Sequence, residues 1–302
     1  MPGVFYQVEH ETRYVHAGRV SKSRHVACLR PRLSPRLTLH WHDLDLEPSP
    51  GGTIERLDHF GNSLHQFEIL TPYAELRAVS RSLVEIWPRL TAVDPDDSPT
   101  WEEVRDAEIF DASRPFDPDV EFCYASPYIA LAPELAAFAR QSFPSGRPFL
   151  AGAIDLMHRI YHEFTFDPTA TTITTPITRV LADRHGVCQD FAHLQIGGLR
   201  ALGLPARYVS GYLLTDPPPG QPRLVGADAS HAWLSIKCPR QGWVDLDPTN
   251  DALPDLRHVT VAWGRDYGDV SPLRGTVLGG QRQTLHVGVS VIPVDPNAPL
   301  VV

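Results

Sequence analysis

The hydrophobic periodicity of this chain changes once along its length, and that change constrains the fold more than any other feature. Residues 3–48 alternate, with Phe5, Gln7, Glu9 and Glu11 on one parity and Tyr6, Val8 and His10 on the other. Residues 37–46, LTLHWHDLDL, alternate more cleanly, with a slip between Trp41 and Leu44 that reads as a β-bulge. Period-two patterns broken by short polar turns predict antiparallel strands. Residues 53–60 and 63–70 predict a hairpin around Gly61-Asn62, and 72–87 continue apolar and β-branched. From Pro127 onward the period becomes helical. Helices are predicted over 128–142, 149–164, 177–183 and 188–202, with Gly203 placed as a C-cap glycine. In 149–164 the apolar face is Leu150, Ile154, Met157, Tyr161 and Phe164. Strands follow at 206–214, 229–237 and 243–247, the first two separated by a proline-rich loop at 216–222, and a last alternating strand spans 283–292. The expected organisation is α+β, with an N-terminal antiparallel β-rich domain at 1–120 and a second domain at 121–302 that includes the C-terminal strand.

Charge and cysteine usage narrow the function classes. The net charge is −9, which argues against a nucleic-acid surface. No apolar run is long enough to cross a membrane as a helix, and the first residues lack the pattern of a signal peptide. The four cysteines, Cys28, Cys123, Cys188 and Cys238, are far apart and suggest neither a zinc knuckle nor a disulfide framework. A cytoplasmic protein with free thiols is expected.

Cys188 opens the best helix. Unpaired N–H groups and the positive end of the helix dipole favour a thiolate there, and Gly186 permits a tight entry. A thiolate nucleophile needs a base, and the base needs an orienting acceptor. His231 lies in the predicted strand SHAW, and Asp247 ends the next strand in WVDLDPT, with Asp245 as a competing carboxylate of the same parity. The residue types suit a thiol-based acyl transferase or hydrolase.

The segments HGVCQDFAHLQIGGLRALGLPARYVSGYLL (185–214) and DASHAWLSIKCPRQGWVDLDPTN (228–250) resemble the nucleophile and the histidine–aspartate segments of bacterial transglutaminase-like proteins. Residues 258–270, the hairpin with Asp58, Phe60, Gly61 and Asn62, and the opening strands extend the resemblance over nearly the whole chain. It implies a papain-like core behind the family's N-terminal β domain, with Cys188 as nucleophile, His231 as base and Asp247, before Pro248, as orienter. Gln189, Trp233, Phe166, His185 and Asp245 are candidates for the cleft or its surroundings. One departure concerns Phe166, which stands where relatives often carry a tyrosine, so an oxyanion must find another donor, the Cys188 backbone N–H first. The resemblance implies no organic cofactor, and no calcium-loop motif or metal-ligand pattern supports a metal. The expected activity is cysteine-dependent acyl transfer on a peptide or glutamine-type amide, with hydrolysis favoured over transamidation and a peptide or protein as substrate. The alternative is a weak or inactive module of the same fold that binds a peptide or protein partner.

Overall fold

The computed structural model describes residues 2–109, 113, 115, 117–215 and 229–295. It opens with a 24-residue strand, β1 (Val4–Ala27). Tyr6, Val8, His10, Thr12 and Val20 are buried in its first part, then Ser23, His25 and Ala27. The inward parity flips where the pairing shifts between Val20 and Lys22, as one extra residue must make it do. Strands β2 (Leu37–Glu47), β3 (Thr53–Leu57), β4 (Ser63–Ile69) and β5 (Tyr73–Ile86) complete an antiparallel path β2-β5-β1-β4-β3. The bulge expected between Trp41 and Leu44 sits earlier, at His40, where pairing passes from Leu39–Val84 to Trp41–Leu83.

The helical half contains α1 (Trp101–Ala107), a 3-10 turn (Pro118–Cys123), α2 (Pro133–Arg140), α3 (Phe149–Glu163) and α4 (Ile177–Asp183). Two short parallel strands, β6 (Thr165–Phe166) and β7 (His185–Gly186), lead into α5 (Cys188–Ala201). Helix α2 is shorter than the expected 128–142. Pro133 forces the preceding Ala132 into an extended conformation (φ −137°, ψ 145°), so the helix starts only there. In α3 the buried stripe is Phe149, Leu150, Ala153, Leu156, Met157 and Ile160, whereas Tyr161 of the expected face is exposed.

Helix α5 is the central element: Asp190 through Arg200 are all buried. It packs on α2 and α4 on one side and on β8 (Ala206–Leu213) and β9 (Ala229–Cys238) on the other. It closes with Gly203 at φ +80°, whose N–H reaches Arg200 O while Leu204 N–H reaches Leu199 O. This left-handed cap suits glycine and satisfies the last carbonyls. Strands β10 (Gly242–Leu246) and β11 (His258–Gly264) complete an antiparallel sheet ordered β10-β9-β8-β11. The expected loop at 216–222 lies outside the described residues.

The chain then returns. After the short α6 (Tyr267–Val270), strand β12 (Leu273–Gly279) pairs with the second half of β1 and β13 (Gln283–Val294) with the first. The C-terminal strand, expected with the core at 121–302, is therefore part of the N-terminal sheet. Alternation identifies a strand and its faces but not its neighbour, and β13 finds a free side of β1 along Phe5–His16. Tyr6, Val84, Val289 and Val291 share one buried cluster with Tyr212 and Val259, so the two halves meet through a continuous apolar core. Asn62 reinforces the junction. It is fully buried, donates to Asp58 and to Trp263 O, and accepts from Trp263 N–H.

Candidate active site

The segment that delivers Cys188 is held from both sides. Phe166 and Gly186 pair in the β6–β7 bridge, and the Asp190 carboxylate accepts from Val187 N–H (2.9 Å) and from the Thr171 hydroxyl (2.6 Å). Gly186 is needed for this approach, since a Cβ there would lie 2.9 Å from Cβ of Asp190. Cys188 emerges half-buried at the first turn of α5 and faces the same cleft as His231.

His231, 7% exposed on β9, places Nε2 2.7 Å from Oδ2 of Asp247. That leaves Nδ1 for the sulfur. Asp247 is fully buried at the end of β10, where its backbone bridges to Ala252. Its Oδ1 accepts from Thr249 N–H (3.0 Å) and Asn250 N–H (3.3 Å), and its Oδ2 also accepts from Asn250 Nδ2 (2.7 Å) and His258 Nε2 (3.2 Å). Burial pushes the Asp247 carboxyl up, but the donors of His231, His258 and Asn250 outweigh it and hold the group well below the usual carboxylate range. Burial alone would lower the His231 pKa. The hydrogen bonds and negative charge of Asp247 and Cys188 outweigh that and raise it from 6.5 to about 10. An imidazolium is thus favoured between Asp247 and Cys188.

The three ring-nitrogen and carboxylate atoms of His231, Asp247 and His258 lie within 4.8 Å of one another, close enough to hold a metal ion. Both Asp247 oxygens already accept N–H donors, and a metal on His231 Nε2 would displace its bond to Asp247. The trio therefore fits a hydrogen-bonded cluster better than a metal cage.

Cys188 and His231 open onto a cleft of about 240 Å³ that also includes Gln189, Tyr208 and Tyr267. Its outer wall comes from the N-terminal sheet: His10, Thr12 and Tyr14 of β1 and Leu285 and Val287 of β13. The His10 ring bridges the Tyr212 and Thr12 hydroxyls, and burial lowers its pKa to about 4, keeping it neutral. Burial also raises the Tyr208 hydroxyl, with Cys188 as the next contributor, so Tyr208 enters the cleft as a protonated phenol.

The other expected residues distribute unevenly. Gln189 lines the cleft. Trp233 is fully buried behind the imidazoles, its ring 6.0 Å from His231 and 5.2 Å from His258. Phe166 is 53% exposed and is not among the cleft-lining residues, so it takes no place beside the sulfur. His185 is exposed, and its Nδ1 lies 2.6 Å from Asp183 O. Asp245 lines a different cavity, so Asp247 rather than Asp245 meets His231. His258, Asn250, Tyr208 and the β1 and β13 residues were not anticipated. Asn250 and His258 do stand inside the segments that carry the family resemblance.

Residues 6–85 match the bacterial transglutaminase-like N-terminal region and residues 137–248 the transglutaminase-like superfamily. An uncharacterised protein of Mycobacterium tuberculosis is 39% identical over 97% of this chain and 94% of its own length, and one of Mycobacterium leprae is 31% identical over 94% and 97%. A protein-glutamine gamma-glutamyltransferase of Pseudomonas aeruginosa is 35% identical across 42% of this chain but only 18% of its own length. The crystal structure of a candidate cysteine protease from Cytophaga hutchinsonii superposes with a TM-score of 0.75 over 99% of this chain and 93% of that one, at 17% identity, which bears on the fold alone. With both family regions matched in order on an α+β fold of this topology, the chain belongs to the transglutaminase-like superfamily and carries its bacterial N-terminal region.

Proposed function

We propose that this protein is a cysteine-dependent acyl-transfer enzyme acting on a peptide or glutamine-type amide, with hydrolysis as its main outcome. The observation that carries the proposal is that Cys188 and His231 share one cleft and that His231 is hydrogen-bonded behind it to a fully buried Asp247, which accepts five hydrogen bonds in all. In the proposed reaction the Cys188 sulfur, as the thiolate of a thiolate–imidazolium pair with His231, attacks the amide carbonyl, and the C–N electron pair leaves with the proton of the His231 imidazolium. His231, now neutral, takes a proton from water as it attacks the thioester, and the acid departs with the thiolate–imidazolium pair restored. Asp247 holds the imidazole in the orientation that serves both steps. The Cys188 backbone N–H and the Tyr208 hydroxyl are the donors offered to the oxyanion, in place of the hydroxyl that Phe166 lacks.

Hydrolysis is favoured because none of the described cleft residues is acidic. A protonated amine acceptor has no carboxylate there to draw it in, whereas water needs none. The half-exposed Leu285 and Val287 at the rim suit an apolar side chain of the substrate.

The test is incubation with a glutamine-containing peptide library, with and without a primary amine, read by mass spectrometry against Cys188→Ala. Cleavage or deamidation that depends on Cys188 and persists with the amine present supports the proposal. Amine incorporation as the main product replaces hydrolysis with transamidation. Absence of any Cys188-dependent product favours the binding-module alternative.

A further inference from the structure

A cavity of about 720 Å³ lies between the N-terminal sheet and the β10-β9-β8-β11 sheet, and it shares no lining residue with the Cys188 cleft. Arg207 of β8 lines it and is 8% exposed. The guanidinium is sandwiched between the indoles of Trp243 and Trp263, 3.8 Å from each ring centroid. Two aromatic faces suit the flat faces of a buried cation but leave its hydrogen-bonding edge unanswered. Among the described residues no acceptor reaches that edge, and Nε is buried without a partner. Arg200, 2% exposed on α5, shows the usual alternative: its guanidinium donates to Tyr124 O, Ala206 O and Arg265 O.

A buried guanidinium edge facing a cavity is built for a ligand, because unpaired donors are costly unless something fills them. Its planar fork matches a carboxylate or phosphate better than any other group. Arg36 and Arg89 also line the cavity, against Asp245 and Asp255, so the arginines outnumber the carboxylates. Apart from Ser34, His258 and Thr260 the remaining wall is apolar, and at the rim Trp87 is 37% and Leu90 100% exposed. A cation at the base and apolar groups at the rim select a molecule with the opposite layout.

We propose that this cavity binds a small amphipathic anion, its carboxylate or phosphate head forked onto Arg207 and its apolar body against Trp87 and Leu90. This binding does not depend on the reading of Cys188 as a nucleophile.

The test is calorimetric titration of the full chain with octanoate, octyl phosphate and octanol below their aggregation limits. Saturable one-to-one binding of either anion, at least ten-fold tighter than octanol, is expected, and the tighter of the two identifies the head group. Arg207→Lys keeps the charge but loses the fork and should weaken the anion at least ten-fold. Leu90→Glu, at a fully exposed position, leaves folding intact, removes an apolar contact and sets a like charge at the rim, so it should weaken the anion at least five-fold. Cys188→Ala should bind as wild type. The proposal is overturned by the absence of saturable anion binding, by octanol binding as tightly, or by loss of binding in Cys188→Ala. If Arg207→Lys does not fold, unchanged anion binding in Leu90→Glu overturns it equally.

Discussion

His258 places its Nε2 3.2 Å from Oδ2 of Asp247, the same carboxylate oxygen that accepts from His231. A carboxylate only accepts, so both imidazoles donate to it, and His258 steadies the group that steadies the base. A hydrogen bond to a charged group is worth about 1.5–3 kcal/mol. His258→Phe, which keeps a ring in the space, should lower kcat/KM toward an activated ester such as p-nitrophenyl acetate by about tenfold. Circular dichroism should show the fold retained. Unchanged kcat/KM would make His258 a packing residue only.

Asp247→Asn tests the orienter more severely. The amide keeps the size but directs N–H₂ groups where the carboxylate accepted from His231, His258 and Asn250. Turnover of the same ester should fall by at least about 100-fold. It should stay above that of Cys188→Ser, which lacks the sulfur altogether. Rates within a factor of two of wild type would remove Asp247 from the reaction.

Much of this site was legible in the sequence, and the gaps have a common cause. The period of 188–202 and the glycine after it place α5 and its cap, the predicted strands bring His231 near Asp245 and Asp247, and the family resemblance selects Asp247. What local pattern could not supply was the identity of neighbours. Alternation marked 283–292 as a strand but not that it would lie along β1, so the wall formed by Leu285 and Val287 was missed. His258 likewise reaches Asp247 only because β11 adds to β8 at the edge of the core sheet. The shortened α2 is different: the restriction that Pro133 imposes on Ala132 is local and readable.

Asn62 links the β3–β4 hairpin to β11 through both Trp263 backbone groups and Asp58. Asn62→Ala leaves these partly buried partners unpaired and should destabilise the protein by about 3 kcal/mol. Urea denaturation should show a lower midpoint with an unchanged slope. A midpoint equal to wild type would mean that water replaces the side chain without loss.

Stability should fall on the acid side through histidines that are buried neutral. Burial lowers His10, His25 and His42 to about 4 and His193 to about 3, with a minor contribution from neighbouring positive charge at His25, His42 and His193. The unfolded chain takes up these protons below pH ~6.5 while the folded chain resists. Their contribution is thus present above that value and lost as pH falls toward 4, by up to about 1.4 kcal/mol per pH unit for each proton. His231 has the opposite sign. With its pKa raised to about 10, its contribution is complete below pH ~6.5 and lost as pH rises through 10. Urea midpoints should fall steeply between pH 6.5 and 4.5, and His231→Ala should flatten the alkaline decline alone. A midpoint flat from pH 6.5 to 4.5 would contradict the burial of neutral imidazoles.

The most direct measurement is the rate at which iodoacetamide alkylates Cys188 in the folded protein at pH 6.5, located by peptide mass and compared between wild type and His231→Ala. An imidazolium beside the sulfur stabilises negative charge on it, so Cys188 should be modified at least ten times faster in wild type. Cys28 and Cys123, whose thiols burial pushes up to about 12, should stay unmodified on the same timescale. Equal and slow alkylation of Cys188 in both proteins would show that His231 does not activate the thiol, and the proposed nucleophile would lose its physical basis.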